Sequence, residues 1–493
     1  MKAFASSFHA WKSLEEQEGI QVPHGLVFPL AIVEAIGRPC GLTLHAEEHT
    51  PEGPAGFDAV FISVLDSRCM MTAANHFRAW RVPFRRQDRP PGSPLVWAGG
   101  QGLVNPMPFY DVADLMVLGD AEEPLPQLLA LWERHGNTPG FLAAAATVPG
   151  VFVPAHHDPR EATIVQAVAT DIGITLRENI SVSHGGMRRV EIARGCPKAC
   201  SFCSIGWRTP YRENTVEQIL PTIRSRAHVH LQAGDAESHS EIEAIRAALV
   251  DRGSYDQGWT GTVQAVAKAV LDNPDQTVSA KKRYAFGVEA MTERVRRIVG
   301  KPWLTNERLV ESTIDFLGRI EGPNKGRAAW HLIAGLPGEG MRDCGELVRV
   351  IQAIDRGRRG ATPRNLSLHW QPFQPLPGTP MQWFGAGGGA RRFASVFRSL
   401  QGQAWVPVLQ LTGRTDDVAK VCTVLSRADR RGADLLDAMA DAIVSPERAA
   451  EIGGIGWAPL DPDVPLPWDF IAHANKDKLR RGYDVMVRRL AEE

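Results

Sequence analysis

Three closely spaced cysteines are the residues of this sequence best suited to chemistry. Cys196, Cys200 and Cys203 have C-x3-C-x2-C spacing, and the aromatic Phe202 directly precedes the third. A four-iron, four-sulfur (4Fe-4S) cluster is bound by cysteine thiolates, and a short loop with this spacing supplies three of them. One iron then has no protein ligand, and an open metal position is where a small ligand binds and reacts. The spacing therefore predicts a 4Fe-4S cluster with one iron open to a ligand.

A zinc knuckle, or three thiols that share no ligand, is the alternative interpretation. A structural zinc site uses four ligands, often as two C-x2-C pairs, and the sequence has no second pair. His184 could complete a set of three cysteines and one histidine, but it precedes a Gly-Gly pair next to a predicted strand. We therefore favour the iron–sulfur interpretation. Cys344 and Cys422 are each isolated in the sequence, and we expect them to be structural thiols.

A strand and a helix must position the cysteine loop. Residues 188–193 alternate between polar and apolar side chains and include β-branched residues, which predicts a strand. A helix is predicted from Thr215, which is suited to cap its N-terminus. The loop therefore lies at the C-terminal end of a strand, where β/α barrels have their active sites.

The cysteine loop resembles the C-x3-C-x-aromatic-C signature of the radical S-adenosylmethionine (SAM) superfamily. That resemblance implies that the open iron binds SAM and that an electron from the cluster cleaves it to methionine and a 5′-deoxyadenosyl radical. Strands predicted at residues 229–233, 283–289, 329–334 and 366–371 would complete a partial (β/α)6 barrel. Gly335-Leu-Pro-Gly-Glu339 is similar to the turn that lies beside the SAM adenine in the superfamily. The SAM contacts implied are Phe202, Gly234, Asp235, Glu237, Glu289, Gly335 and Glu339. The segment from Gly234 to Glu237 departs from the Gly-Gly-Glu motif of the superfamily.

The first 155 residues are predicted to form a doubly wound, Rossmann-like α/β domain. Short apolar runs at residues 58–65, 94–98 and 113–118 are typical of buried parallel strands. They alternate with helical segments and are followed by turns, two of them rich in glycine. Ligands of such sheets bind outside the carboxyl ends of the strands.

This region resembles the cobalamin-binding (vitamin B12) domain that precedes many radical SAM domains. The similar pieces are Gly99-Gly100, the Asn-Pro segment at 105–108, and residues 113–122. The resemblance implies cobalamin contacts from Ser63, Leu65, Gly99, Gly100, Gly119 and Glu122. The Asp-x-His-x-x-Gly motif that places a histidine on cobalt is absent, so the resemblance implies a lower cobalt face without a protein ligand. Alternatively, these glycines only turn tight loops in an empty domain.

The composition describes an ordinary globular chain of 493 residues. Lys plus Arg total 55 and Asp plus Glu total 56, so the net charge of −1 gives no pull toward nucleic acid or anionic membranes. No run of about 18 apolar residues and no signal peptide is found in the sequence. Seven cysteines are too few for a disulfide framework in a chain of this length, so we expect a reduced, cytoplasmic setting. We also expect a monomer.

The predicted organisation is a cobalamin-binding domain at 1–155, a bridge at 156–186, a radical SAM barrel at 187–385 and a mainly helical extension at 386–493. The first functional hypothesis is a cobalamin-dependent radical SAM methyltransferase. By resemblance it would transfer a methyl group through methylcobalamin to a carbon of a small-molecule or peptide substrate, with electrons from a flavodoxin- or ferredoxin-like donor. The alternatives are another radical SAM reaction, such as rearrangement, ring contraction or sulfur insertion, and a non-enzymatic cobalamin or redox sensor.

Overall fold

The computed structural model describes most of the chain. The described residues are 1–8, 27–47, 53–177, 188–256, 260–261, 283–320, 327–358, 366–400, 402–403, 405, 407–411 and 415–492. His184, considered above as a fourth metal ligand, lies outside them. Within these ranges no helix combines the length and the apolar character needed to cross a membrane.

A six-stranded sheet forms the first part of the chain. Its strands are β1 (Lys2–Ser6), β2 (Thr43–Ala46), β3 (Ala59–Ser63), β4 (Leu95–Gly99), β5 (Leu115–Val117) and β6 (Val151–Phe152). Their order is β2-β1-β3-β4-β5-β6, and all pairs are parallel except β5–β6. The predicted buried parallel strands at 58–65, 94–98 and 113–118 are confirmed as β3, β4 and β5.

Helices cover both faces of this sheet. They are α1 (Val27–Gly37), α2 (Ser67–Met70), α3 (Ala73–Ala79), α4 (Pro124–His135) and α5 (Pro139–Ala145). Because side chains alternate along a strand, Trp97 points into a core with α4 and α5, whereas Val96 and Ala98 point into a second core with α3. The Trp97 ring stacks on that of Phe141, with centroids 5.5 Å apart. Cores on both faces make this a doubly wound α/β sheet.

A linking segment leads into a second row of parallel strands. It contains β7 (Ile164–Val165) and α6 (Ile174–Arg177). The row consists of two sheets, in the orders β12-β11-β8 and β13-β14-β15-β16-β17. Its strands are β8 (Arg188–Glu191), β11 (His228–Gln232), β12 (Tyr255–Asp256), β13 (Thr260–Gly261), β14 (Arg283–Glu289), β15 (Arg327–Ala334), β16 (Leu366–Pro372) and β17 (Val408–Leu411). The short strands β9 (Ala193–Arg194) and β10 (Arg212–Glu213) pair antiparallel beside it.

Helices pack along this row as in a β/α barrel. They are α7 (Ser204–Arg208), α8 (Val216–Ile219), α9 (Ile242–Asp251), α10 (Glu293–Ile298), α11 (Asn306–Ile320) and α12 (Met341–Gly357). Thr215 caps α8 as predicted, because its side chain accepts a hydrogen bond from the Gln218 amide. The strand row continues past residue 385, where the barrel was predicted to end, because β17 pairs with β16.

The C-terminal region packs on the first sheet, which the sequence did not indicate. Its helices are α13 (Gly389–Ser399), α14 (Asp416–Arg427), α15 (Gly432–Asp441), α16 (Pro446–Gly453) and α17 (Lys476–Ala491). Val424 and Leu436 share one buried core with Phe77 and Phe109 of the first domain. In addition, β18 (Ile471–Ala472) pairs in parallel with β7. The region predicted as an extension is therefore a structural partner of the first domain.

Candidate functional site

The cysteine loop connects β9 to α7 and is held by backbone contacts. The Cys203 amide donates to the Cys200 carbonyl (3.0 Å), and the Trp207 Nε1 donates to the same oxygen (3.1 Å). The Ser201 amide donates to the Val299 carbonyl (3.0 Å), which ties the loop to the end of α10. These bonds hold the part of the loop from Cys200 to Cys203 in place.

Two glycines allow the loop to lie close to its neighbours. Gly195 has a φ of +80°, and a Cβ there would lie 2.6 Å from the Pro210 carbonyl oxygen. A Cβ on Gly234 would lie 2.6 Å from the Gly195 oxygen and 3.0 Å from the Cys196 Cβ. Real Cβ atoms do not come so close to backbone, so only glycine fits at either position. Gly234, a predicted SAM contact, therefore lies directly on the cysteine loop.

The three thiols are suited to bind a cluster rather than to act alone. All seven cysteines are free of disulfides, and Cys344 and Cys422 are buried in the core. Burial raises the pKa of Cys196, Cys200 and Cys203, and that of Cys200 reaches about 12. Such thiols keep their protons at neutral pH until a metal displaces them.

The arrangement of the thiols differs from that around a single ion. No three His, Cys, Asp or Glu side chains of the described ranges are grouped to hold one metal ion. Cluster ligands need not be grouped in that way, because each thiolate binds a different iron. The donor set therefore fits an iron–sulfur cluster with three protein ligands.

A buried ion pair lies beside Cys200. The Lys301 Nζ donates to the Gly287 carbonyl (3.0 Å) and to Glu289 Oε1 (3.1 Å). Burial opposes the charge of Lys301, but Glu289 and Cys200 outweigh burial, so the Lys301 pKa is raised. Glu289 has a φ of +65°, which is unusual for a residue with a Cβ and places its carboxylate at the end of β14.

The charges near α10 correct one expectation from the sequence. In the sequence, the charged residues from 293 to 301 suggest an exposed helix face with i,i+4 pairing. Arg296 is instead fully buried and donates to the carbonyls of Leu304 (2.7 Å) and Ala290 (3.1 Å). Lys301 is also buried, against the cluster loop. The sequence showed little sign of this burial, because a pattern of charges along a helix does not show which distant residues will contact each charged side chain.

The two predicted carboxylates after β11 have different surroundings. Asp235 accepts a hydrogen bond from Ser238 Oγ (2.6 Å), and its buried Oδ1 has no hydrogen-bond partner among the described residues. Glu237 forms an ion pair with the buried Arg246 (2.5 Å). Asp235 therefore has an acceptor available for a ligand, whereas Glu237 is used to hold Arg246.

The turn after β15 is a compact unit. Glu339 Oε2 accepts a hydrogen bond from the Gly335 amide (2.5 Å), and its buried Oε1 has no hydrogen-bond partner in the part of the chain that the structure describes. Burial raises the pKa of Glu339 to about 7. A Cβ on Gly335 would lie 2.9 Å from the Gly389 amide nitrogen and 3.1 Å from the Gly387 Cα, so Gly387 and Gly389 pack on this turn.

A cavity of about 450 Å³ lies between the first sheet and the cysteine loop; we call it the domain cavity. The ends of β3, β4 and β5 form one wall, and the loop and α7 contribute Arg194, Gly195, Ser204 and Ile205. Every residue predicted to contact cobalamin lines it: Ser63, Leu65, Gly99, Gly100, Gly119 and Glu122. Phe202 lies elsewhere, in a smaller cavity of about 250 Å³ with Cys203.

Two glycines of the domain cavity are required by close contacts with neighbouring backbone. Gly100 has a φ of +108°, and a Cβ there would lie 2.5 Å from the Val64 carbonyl oxygen. Gly119 has a φ of +104° and makes a β-bridge with Ala167, so a Cβ would clash with the Ala167 backbone. Loop packing alone therefore explains both glycines, and they do not by themselves indicate a bound corrin.

A charge network joins the domain cavity to the cysteine loop. Arg194 directly precedes the loop and forms ion pairs with Glu122 (2.7 Å), Asp120 (3.1 Å) and Glu191 (2.8 Å). Arg212 also pairs with Asp120 (2.8 Å). Burial raises the pKa of Glu122, whereas the carboxylates hold Arg194 in its charged form. The sequence did not reveal Arg194, because its partners lie on two domains.

The inner face of the strand row is polar. Apolar residues such as Val190, Leu231, Phe286, Trp330 and Leu368 pack outward against the helices. The alternate positions point the other way. They carry Arg189, Glu191, His230, Gln232, Glu289, His331, Ser367, His369 and Gln371, together with the small or apolar residues Ala285, Gly287, Ala329 and Ile333. The rings of His331 and His369 stack with centroids 5.2 Å apart. A barrel filled as a core is lined by Val, Ile and Leu, so this lumen is suited to a polar ligand.

Comparison with known families decides the identity of the barrel. Residues 190–351 match the family described as the radical SAM superfamily, and residues 36–154 match the family described as radical SAM proteins, N-terminal. The chain is a radical SAM protein. As a member of that superfamily it is an enzyme that uses a 4Fe-4S cluster and SAM. No protein in the curated set searched matches the sequence significantly.

Solved structures share the fold of this radical SAM protein at low identity. One is the radical SAM methyltransferase TsrM from Kitasatospora setae with cobalamin and a [4Fe-4S] cluster bound, at 14% identity and a TM-score of 0.50, covering 77% of this chain and 73% of that one. Another is TsrM with its tryptophan substrate and a SAM analogue, at 14% identity and a TM-score of 0.48, covering 77% and 74%. At this identity the likeness concerns the fold alone.

Proposed function

We propose that this radical SAM enzyme is a cobalamin-dependent methyltransferase that acts on a small molecule or a peptide. The observation that carries the proposal is the domain cavity. It lies at the carboxyl ends of parallel strands, where doubly wound sheets bind ligands, and its opposite wall is the loop that bears the cluster cysteines. A ligand there would lie next to both the cluster and SAM.

The cavity has the surface that a corrin needs. Gly99, Gly100 and Gly119 present bare backbone, and Phe61, Leu65 and Trp97 present apolar area to a flat ring. No histidine is among the residues that line the cavity in the described ranges. We therefore keep the proposal that cobalamin is bound here without an imidazole on its lower face. The cobalamin bound to TsrM, which shares this fold, supports the assignment.

The chain's own groups would position the reactants. The three cysteine thiolates would hold the cluster, and the free Oδ1 of Asp235 would accept a hydrogen bond from the SAM ammonium group. Glu289, oriented by Lys301, would accept hydrogen bonds from the ribose. When bound, the cluster supplies the electron that cleaves SAM, and cobalamin carries the methyl group. The polar lumen at His331 and His369 would receive the substrate.

Reconstitution tests the proposal. Protein loaded anaerobically with iron, sulfide and hydroxocobalamin should contain about four irons and one cobalamin per chain. When a reductant is added, the protein should consume SAM. The formation of S-adenosylhomocysteine should require cobalamin. If 5′-deoxyadenosine forms equally well without cobalamin and no S-adenosylhomocysteine appears, the protein is a radical SAM enzyme of another reaction type. A protein that binds cobalamin but never cleaves SAM would support the sensor alternative.

A further inference from the structure

An arginine without a partner lies between two cavities. Arg208 is the last residue of α7, five residues after Cys203, and only 8% of it is exposed. Its side chain forms no ion pair or hydrogen bond with any residue in the described ranges, and burial alone lowers its pKa, to about 10. A buried guanidinium without an acceptor is destabilising. A ligand that supplies an acceptor would remove that penalty.

Arg208 lines the domain cavity and also a second cavity of about 330 Å³, which we call the C-terminal cavity. The second cavity lies between α7, the segment from Gly378 to Trp383, and the C-terminal residues 468–480. The stem of Arg208 packs on Gly378, where a Cβ would lie 2.6 Å from the Arg208 Cδ. Glycine at 378 therefore makes room for the arginine beside the cavity.

Two more polar groups of the C-terminal cavity have no hydrogen-bond partner. His473 Nδ1 and Trp383 Nε1 are both buried and unpaired within the described part of the chain. The pKa of His473 is lowered to about 4, first by burial and then by the charge of Arg208, so the ring is neutral at pH 7. Arg208 and His473 therefore lie close to each other. The guanidinium and the Trp383 indole N–H can donate to oxygen, whereas the one N–H of the neutral His473 ring is used by the Trp207 backbone, so His473 Nδ1 only accepts.

The other charged residues of this cavity form no ion pair with the Arg208 guanidinium. Arg480 is paired with Asp463 (2.8 Å) and Asp484 (3.1 Å), and Lys476 donates to the Asp469 carbonyl. Asp469 and Asp477 also line the cavity, but neither is paired with Arg208. The Asp469 carboxylate accepts a hydrogen bond from the Leu466 amide (2.7 Å). Within the described residues Arg208 is therefore left able to bind an acceptor on a ligand.

We propose that Arg208, with Trp383, forms an oxyanion subsite that binds a phosphate or carboxylate group. Guanidinium groups bind both oxyanions through parallel hydrogen bonds. Two sources are compatible with its place on the wall of both cavities. One is the phosphodiester of the cobalamin nucleotide tail, the anionic group of that cofactor, and this source rests on the proposed function. The other is a carboxylate or phosphate of the substrate.

Binding of inorganic phosphate tests the subsite independently of cobalamin. The full chain, carrying its cluster but no cobalamin, is titrated anaerobically by calorimetry as wild type, Arg208→Gln, Arg208→Lys and Arg480→Gln, because a bound nucleotide tail would occupy the same subsite. We expect saturable binding to wild type, at least tenfold weaker binding to Arg208→Gln, and partial retention by Arg208→Lys. Arg480→Gln is the matched control, because this arginine lines the same cavity but has its own carboxylates, and it should bind like wild type. Absence of saturable binding to wild type, or equal binding by Arg208→Gln, would overturn the proposal.

A second arm identifies the source of the oxyanion. Affinities for hydroxocobalamin and for dicyanocobinamide, which lacks the nucleotide and its phosphate, are measured for the same variants. A loss of at least tenfold in Arg208→Gln for cobalamin alone assigns the subsite to the nucleotide tail. Unchanged affinity for both corrinoids, with phosphate binding lost, assigns it to the substrate. If wild type binds neither corrinoid, the proposed cobalamin dependence fails, and the phosphate titration still decides whether the subsite exists.

Discussion

Replacing Arg194 with methionine should destabilise the junction between the two domains more than any change to one of its partners. Arg194 is the cation shared by Asp120, Glu122 and Glu191, whose side chains are 2–12% exposed. Methionine keeps much of the stem volume but leaves these carboxylates facing one another in a buried place. The perturbation therefore removes charge with little loss of packing.

The expected size of the effect follows from the burial. Removing one partner of a buried ion pair costs about 3–5 kcal/mol, because the remaining charge is left uncompensated. Burial already raises the pKa of Glu122, so this group can take up a proton and relieve part of the repulsion. Arg212 still neutralises Asp120. We therefore expect a cost near the lower limit, about 3 kcal/mol.

The matched control is Glu122→Gln. It leaves Arg194 paired with Glu191 and Asp120, and the group it removes is one that burial disfavours as a carboxylate, so it should cost less than about 1 kcal/mol. Urea unfolding of the full chain, followed by circular dichroism, compares the two variants with wild type. The reasoning is refuted if Arg194→Met costs less than about 1 kcal/mol or if the two variants are equally destabilised.

Three further outcomes are expected. Replacing the three loop cysteines with alanine should remove about four irons per chain, and iron analysis that finds the full content would show that the ligands lie elsewhere. The folded-state pKa of Glu339 lies near 7, above its usual 4.5, so the folded state holds an extra proton between these pH values. The stability should therefore fall as pH rises from about 4.5 to 7. Glu339→Gln should flatten this dependence of the melting temperature on pH, and an unchanged dependence would contradict the raised pKa of Glu339. Gly100→Val should lower the melting temperature, because its Cβ would meet the Val64 backbone; the control Gly136→Ala has an open site and a φ of +59°, so strain alone should affect it less.

Local sequence patterns predicted the elements that carry the site. The cysteine spacing, the strand before it and the cap at Thr215 depend on residues close in the chain, and the structure has all of them where they were expected. The predicted cobalamin contacts lie together because each follows a parallel strand, and such strand ends meet at one edge of a sheet. These predictions needed only periodicity and chain order.

Interactions between distant segments could not be predicted in the same way. Arg194 is recognisable only when Glu122 and Glu191 are brought to it from two domains. The C-terminal helices pack on the first sheet through contacts between distant segments. The need for glycine at position 119 likewise comes from its close approach to the Ala167 backbone. Lys301 was assigned to an exposed face because its buried partner Glu289 lies on another element.

Cobalamin binding to the reconstituted protein tests the central claim most directly. Hydroxocobalamin is added anaerobically to protein that carries its cluster, and the bound cofactor is reduced to the cob(II)alamin form for electron paramagnetic resonance. The account predicts one cobalamin and about four irons per chain, with no nitrogen splitting from a protein imidazole. Four irons without bound cobalamin would contradict the cobalamin-dependent function, and a nitrogen splitting that changes when the protein is labelled with 15N-histidine would contradict the proposal that no protein imidazole binds cobalt.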